Sequence, residues 1–229
     1  MKNHTDNLEP TWTSYLAETW SKYKPPIRPH EKELLNFERL LIENLKDSRS
    51  EFKVLILGST PELRDLCAKH KTIPYVIDYS AANYAAMGTL REYTNNEEIF
   101  INQNWLNMNI KTQFDVIFSE AAFNVVNAKM INCLLQKIHL HLKPTGVLLA
   151  KTWIRRNNHY ENIDDLISYF RLKMENHDFY SALCLPLMIH YYNFTEEKIA
   201  VKDLMFRIEE LYKNAQIDIN DWLTIERHH

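Results

Sequence analysis

The chain has 229 residues, enough for one substantial domain with or without an attached cap. Its 27 basic and 30 acidic side chains leave a formal net charge of −3, so the chain as a whole lacks the basic footprint of a nucleic-acid or anionic-membrane binder. The three cysteines, Cys67, Cys133 and Cys184, lie far apart in apolar surroundings with no CxxC or Cys/His ligand spacing, which reads as buried, reduced thiols and no metal site. The first ten residues, MKNHTDNLEP, are polar and lack the apolar stretch of a signal peptide, and no run reaches bilayer length. The expectation is a cytoplasmic protein with no membrane partner.

Residues 11–23 carry Trp12, Leu16, Trp20 and Tyr23 at three- and four-residue steps, which predicts an amphipathic helix with an aromatic face. The segment Pro25-Pro26-Ile27-Arg28-Pro29 breaks it into an extended connector. A second helix over 31–46 buries Leu34, Leu35, Phe37, Leu40, Leu41 and Leu45. Residues 1–46 therefore read as an N-terminal helical cap, and 47–229 as the main domain. From residue 53 the pattern changes. KVLILG is a short, continuous apolar run, as in a strand buried on both faces. A helix over 61–70, the strand YVIDYS, a helix over 81–93, the strand EEIFIN, the strand FDVIFSE and a helix over 127–142 follow. KPTG reads as a turn and VLLAKTWI as a fifth strand. Strands alternating with helices predict βαβ units and a parallel sheet. Beyond Ile154, helices are expected over 162–175 and 199–214, while 179–194 fits a strand, a helix or a cap.

In an open parallel sheet, ligands bind beyond the carboxyl ends of the strands, where the strand order reverses. The residues there are Gly58-Ser59-Thr60-Pro61-Glu62, Asp78-Tyr79-Ser80, Asn104-Trp105 and Glu120-Ala121-Ala122-Phe123-Asn124. They suit a nucleoside ligand. Gly58, one of only three glycines, permits a sharp turn and close approach. Ser59 and Thr60 offer hydroxyls and N–H groups near a helix start, where Pro61 is well placed. Asp78 can accept both ribose hydroxyls. Asn104 can bond an adenine edge beside the wall of Trp105, and Glu120 can receive an ammonium.

With these stations on the chain, the sequence resembles the class I S-adenosylmethionine (SAM)-dependent methyltransferases. The resemblance runs from about Lys53 to Trp153, through VLILGSTPELRDL, YVIDYS, FINQNWLN, FDVIFSEAAFNVV and LKPTGVLL. It is similar to members whose glycine loop reads G-x-T-P-E-L, which also share a preceding aromatic helix and a PPIRP-type connector. The chain keeps one glycine of the usual three, and Asn104 stands where many relatives have aspartate. The resemblance implies a Rossmann-like α/β fold, a central and mostly parallel sheet flanked by helices. It implies SAM as cofactor, held by Gly58, Ser59, Thr60, Pro61, Glu62, Asp78, Tyr79, Asn104, Trp105, Glu120 and Ala121. Residues 12–29 would then lie over the SAM site.

Glu120 and Asn124 are the first candidates for catalytic contact with the acceptor, and Trp20, Arg28, His159, Tyr160 and His190 for binding it. Each has a plainer reading. Trp20 is a helix-packing aromatic, Arg28 a surface ion pair, and a histidine in an apolar segment a satisfied structural residue. Glu62 and Arg64 equally suit a solvated helix start, and Trp105 a core aromatic. No NPPY-like motif follows the fourth strand, so a small-molecule or peptide acceptor is expected rather than nucleic acid. A SAM-binding module without catalysis is the alternative. The family's usual pair of antiparallel C-terminal strands has one candidate here, within 182–194.

Overall fold

The computed structural model describes residues 15–20, 23, 25, 27–47, 51–154, 165, 166, 168, 192, 193, 198, 199, 201–219 and 222. Its contacts divide the chain into two units, Met1–Ser21 with Glu31–Trp153, and Lys22–His30 with Ile154–His229.

The first unit is built on five parallel strands: β1 (Val54–Leu57), β2 (Pro74–Asp78), β3 (Ile99–Asn102), β4 (Phe114–Glu120) and β5 (Leu142–Lys151), in the order β3-β2-β1-β4-β5. All four residues of β1 are buried, because helices cover both faces. On one face α2 (Glu31–Asp47) and α3 (Pro61–Lys69) bring Phe37, Leu41, Leu63 and Cys67 onto Val54, Ile56, Val116 and Phe118. Phe37 meets Phe118 edge to face at 5.5 Å. On the other, α6 (Ile131–His141) sets Leu134 and Ile138 against Leu55, Leu57, Ile77 and Ile117. The chain passes outward from β1 through β2 to β3, then returns to β4 on β1's other side. That reversal between β1 and β4 opens the crevice expected of a Rossmann-like sheet.

Several elements depart from the sequence expectation. The helix expected over 81–93 is α4 (Ala81–Gly88) and stops early. There Thr89 Oγ1 bonds back to Ala86 O, and Arg91 turns inward to Asp65 and Glu98. The helix expected over 127–142 divides into a 3-10 turn at Ala128–Met130, capped by Asn127, and α6. KPTG is not a turn. It lies within β5 as a bulge, where register passes from Phe114↔Leu142 to Val116↔Val147. Gly146 is required there, since a Cβ would stand 2.6 Å from Phe114 O. The strand ends at Lys151 rather than Ile154, which is exposed.

Short helices α1 (Tyr15–Trp20) and α5 (Ala122–Val125) complete the first unit. Cys67 is buried as expected, and burial pushes its thiol up to about 12. Cys133 is half-buried, and Cys184 lies outside the described residues.

In the second unit, α7 (Val201–Lys213) matches the helix expected over 199–214 and buries Ile208 and Leu211. Strands β6 (Tyr192–Asn193) and β7 (Lys198–Ile199) pair antiparallel as a sheet of their own. Tyr192–Asn193 falls within the stretch 182–194 expected to hold a strand, and neither β6 nor β7 joins the five-stranded sheet. Of the helix expected over 162–175, only Asp165, Leu166 and Ser168 are described, all helical. Among the described residues no helix is long and apolar enough to cross a membrane, and no three metal-ligating side chains converge.

Candidate functional site

Four of the strand-end stations come together at the carboxyl edge of the sheet. Gly58 leaves β1 with φ +94°, a conformation natural to glycine, and its N–H donates to Ile77 O at 2.9 Å. The same carbonyl accepts from Trp105 Nε1 at 2.9 Å. Trp105 therefore lies across the glycine turn, its ring 3.5 Å from where a Gly58 Cβ would stand. Asn104 caps the 3-10 turn Trp105–Asn107, its Oδ1 accepting from Leu106 N at 2.9 Å. Its side-chain carbonyl is committed to that turn.

Asp78 ends β2 with its carboxylate buried and held. Oδ2 accepts from Ser59 Oγ at 2.5 Å and from Asn83 Nδ2 at 3.2 Å, while Oδ1 accepts from Ser80 N at 3.0 Å. Ser80 in turn caps α4 by accepting from Asn83 N at 3.1 Å. The Ser59 proton is thus spent on Asp78. Tyr79 is half-buried, and its carbonyl and that of Asp78 both accept from Asn102 Nδ2, at 2.9 and 3.1 Å.

At the start of α3, Thr60 and Pro61 are buried, and Thr60 makes no side-chain cap. The backbone N–H groups of this first turn point toward the crevice end, where helix geometry favours an anion. Glu62 accepts from Trp20 Nε1 at 3.1 Å. That bond ties α1 to the β1 end, and α1 packs on α4 as well.

The β4 end is an ionic cluster. The Glu120 side chain is 6% exposed and its Oε1 lies 3.1 Å from Lys151 Nζ. Lys151 also reaches Glu33 Oε2 at 3.1 Å. Burial pushes the Glu120 carboxyl above its ordinary value; Lys151 opposes this, while Glu62 and Glu33 add to it. Ala121 takes a left-handed φ of +56°, with its N–H donating to Lys151 O at 3.0 Å. Asn124 Oδ1 accepts from Thr152 Oγ1 and Trp153 N, and its Nδ2 donates to Trp153 O. The amide of Asn124 therefore clasps the end of β5.

Of the acceptor-binding candidates, Trp20 is buried against Glu62, Arg28 is half-buried in the second unit, and His159, Tyr160 and His190 lie outside the described residues. Sequence reading missed Lys151, Glu33 and Asn83. Asn83 had a local signal, since Ser80-x-x-Asn83 follows the strand at cap spacing.

No protein-family model matches the chain, and no curated protein matches it. Solved structures do. An S-adenosylmethionine-dependent methyltransferase from Clostridium acetobutylicum is 15% identical over 60% of this chain and 55% of its own, with TM-score 0.47. The CcbJ methyltransferase from Streptomyces caelestis is 15% identical over 60% and 57%, with TM-score 0.45. The N-methyltransferase NodS from Bradyrhizobium japonicum, in complex with S-adenosylhomocysteine, is 17% identical over 54% and 62%, with TM-score 0.42. The chain thus spans little more than half the length of these structures. The fold rests on the strand order and register of its own sheet.

Proposed function

We propose that the crevice at the carboxyl ends of β1, β2, β3 and β4 binds SAM, and that the protein is a methyltransferase for a small-molecule or peptide acceptor. The observation that carries this is the preset Asp78 at the end of β2, beside the positive-φ Gly58 that ends β1, the strand bordering the reversal of strand order. Asp78 takes the ribose. The first-turn N–H groups of α3 take the carboxylate, Trp105 and Asn104 the adenine, and α1 within the N-terminal cap covers the β1 end through Trp20 and Glu62. The buried reduced thiol of Cys67 suits a cytoplasmic setting.

When bound, the cofactor supplies a methyl group already activated by its sulfonium. What remains for the protein is alignment and exclusion of water. Glu120 lies at the β4 end, and burial keeps its carboxyl easier to protonate than an exposed glutamate. It serves to accept a proton from an amine or hydroxyl acceptor, with Lys151 restoring its carboxylate character. Asn124 positions the β5 end, because its amide is taken up by residues 152 and 153.

That engagement also favours a second reading: with Asn124 hydrogen-bonded to the β5 end and Glu120 ion-paired with Lys151, the fold serves as a SAM-binding module without transfer. Calorimetry with SAM and S-adenosylhomocysteine tests the shared premise. Asp78→Ala is expected to lose about 1–3 kcal/mol of affinity, and unchanged affinity overturns the ribose assignment. Single-turnover transfer from labelled SAM to an acceptor panel separates the two readings, since the silent module binds and transfers nothing.

A further inference from the structure

The donors already on Asp78 decide how many a ligand can add. A carboxylate has roughly four lone-pair sites, two on each oxygen. Oδ2 accepts from the Ser59 hydroxyl at 2.5 Å and from Asn83 Nδ2 at 3.2 Å, and is full. Among the described residues, Oδ1 accepts from Ser80 N alone, at 3.0 Å, and keeps one site.

None of these donors is loosely placed. Ser59 is 4% exposed, Asn83 5% and Ser80 7%. Ser80 is fixed as the cap of α4 and Asn83 sits in that helix's first turn. Ser59 follows Gly58, whose N–H is anchored to Ile77 O. Swinging Ser59 or Asn83 away would leave a buried polar group unpaired, which costs more than a new hydrogen bond returns.

We infer that Asp78 is a one-point acceptor, taking one hydroxyl of a ribose diol through Oδ1. Ser59 and Asn83 are the specificity-determining residues that close Oδ2 to the other hydroxyl. This rests on the S-adenosyl reading of the site and changes one of its terms, since an unencumbered aspartate at that place would take both hydroxyls.

The test is calorimetric titration of the full chain with S-adenosylhomocysteine and with its 2′-deoxy and 3′-deoxy analogues. It is run on the wild type, Ser59→Ala and Asn83→Ala, with thermal unfolding as the check that each variant is folded. In the wild type, one deoxy analogue is expected to bind at least about tenfold more weakly than S-adenosylhomocysteine, and the other within about twofold, because only one hydroxyl meets the charged acceptor. In Ser59→Ala a site opens on Oδ2, and the second analogue is then also expected to lag by about tenfold. Asn83→Ala opens the same oxygen and serves if Ser59→Ala does not fold. Equal losses for both analogues in the wild type mean two-point acceptance and overturn the inference, as does no loss for either. If S-adenosylhomocysteine itself does not bind the wild type, the SAM reading fails and this inference falls with it. The first titration tells those two failures apart.

Discussion

Glu98 is the residue on which the support of the site depends, and Glu98→Gln is the sharpest test of that support. Glu98 stands just before β3 and is 3% exposed, as is Arg64 from α3. Arg64 donates to it through Nη2 at 2.7 Å and through Nε at 3.1 Å, Arg91 Nη1 lies 3.0 Å away, and Tyr84 OH donates at 3.0 Å. Arg64 also lies 4.4 Å over the Tyr84 ring, which stacks on Phe100 at 3.9 Å. One carboxylate therefore balances two nearly buried guanidinium groups and joins α3, α4, the 89–97 turn and β3.

Glutamine keeps the shape and one acceptor oxygen but removes the charge. The remaining countercharge is Asp65, 3.5 Å from Arg91 Nε. Breaking a buried pair by removing one partner costs about 3–5 kcal/mol, a large part of the roughly 5–15 kcal/mol that holds a domain folded. Urea unfolding of Glu98→Gln should show that loss in midpoint with the slope unchanged. Since α4 carries Ser80 and Asn83, ligand binding should weaken alongside. A loss below about 1 kcal/mol, the scale of an exposed ion pair, would refute the claim that this network locks the four elements together.

Gly146→Ala forces a Cβ to within 2.6 Å of Phe114 O and 3.0 Å of Lys143 N, so it should destabilise by about 1–3 kcal/mol in thermal or urea unfolding; a neutral result would mean the β5 bulge is not fixed. In the native protein a thiol reagent at neutral pH should leave Cys67 unmodified, its thiol being pushed up to about 12 by burial. Peptide mapping after brief labelling checks this, and early modification of Cys67 would contradict it. Glu38 is held below its ordinary value of 4.5 by hydrogen bonds from Lys69 first and then His70. Its contribution is therefore present above that ordinary value and lost as pH falls through the lowered one. The stability gap between wild type and Glu38→Gln, under about 1 kcal/mol because Lys69 is half exposed, should accordingly narrow in acid, and a gap that widens there would reverse the assignment.

β1 was legible because a strand buried on both faces reads as an unbroken apolar run, which VLIL is, and β4 because FDVIFSE carries the apolar run VIF at its centre. Gly58 and Asp78 were legible from their place after such runs. What escaped depends on partners far apart in the chain. Lys151 reads as an ordinary strand-end cation until the register sets it opposite Glu120, and Arg64 reads as a solvated helix residue until Glu98 arrives from 34 positions away. KPTG has the composition of a turn, and a bulge makes the same demands of glycine. Only the pairing of Phe114 and Val116 with β5 distinguishes the two. The early stop of α4 follows from Arg91 finding buried carboxylates, which helical spacing does not report.

The two edges of the sheet differ in a way that bears on where the ligand goes. At the amino edge lies an open depression of about 830 Å³, lined by Lys53, Gln113, Leu140, Lys143 and Pro144. Two of the three lysines lining it, Lys53, Lys111 and Lys143, are already paired: Lys143 with Asp115 at 2.6 Å and Lys53 with Glu51 at 3.2 Å. At the carboxyl edge the chain holds Ala121 in a left-handed conformation, turns Gly58 to positive φ, buries the carboxylate of Asp78 and presses that of Glu120 above its ordinary value. Apart from the glycine turn, each of these opposes folding, by backbone strain or by desolvation, and they sit at the ends of adjacent strands. Features that cost stability and gather at one place support the ligand site proposed there.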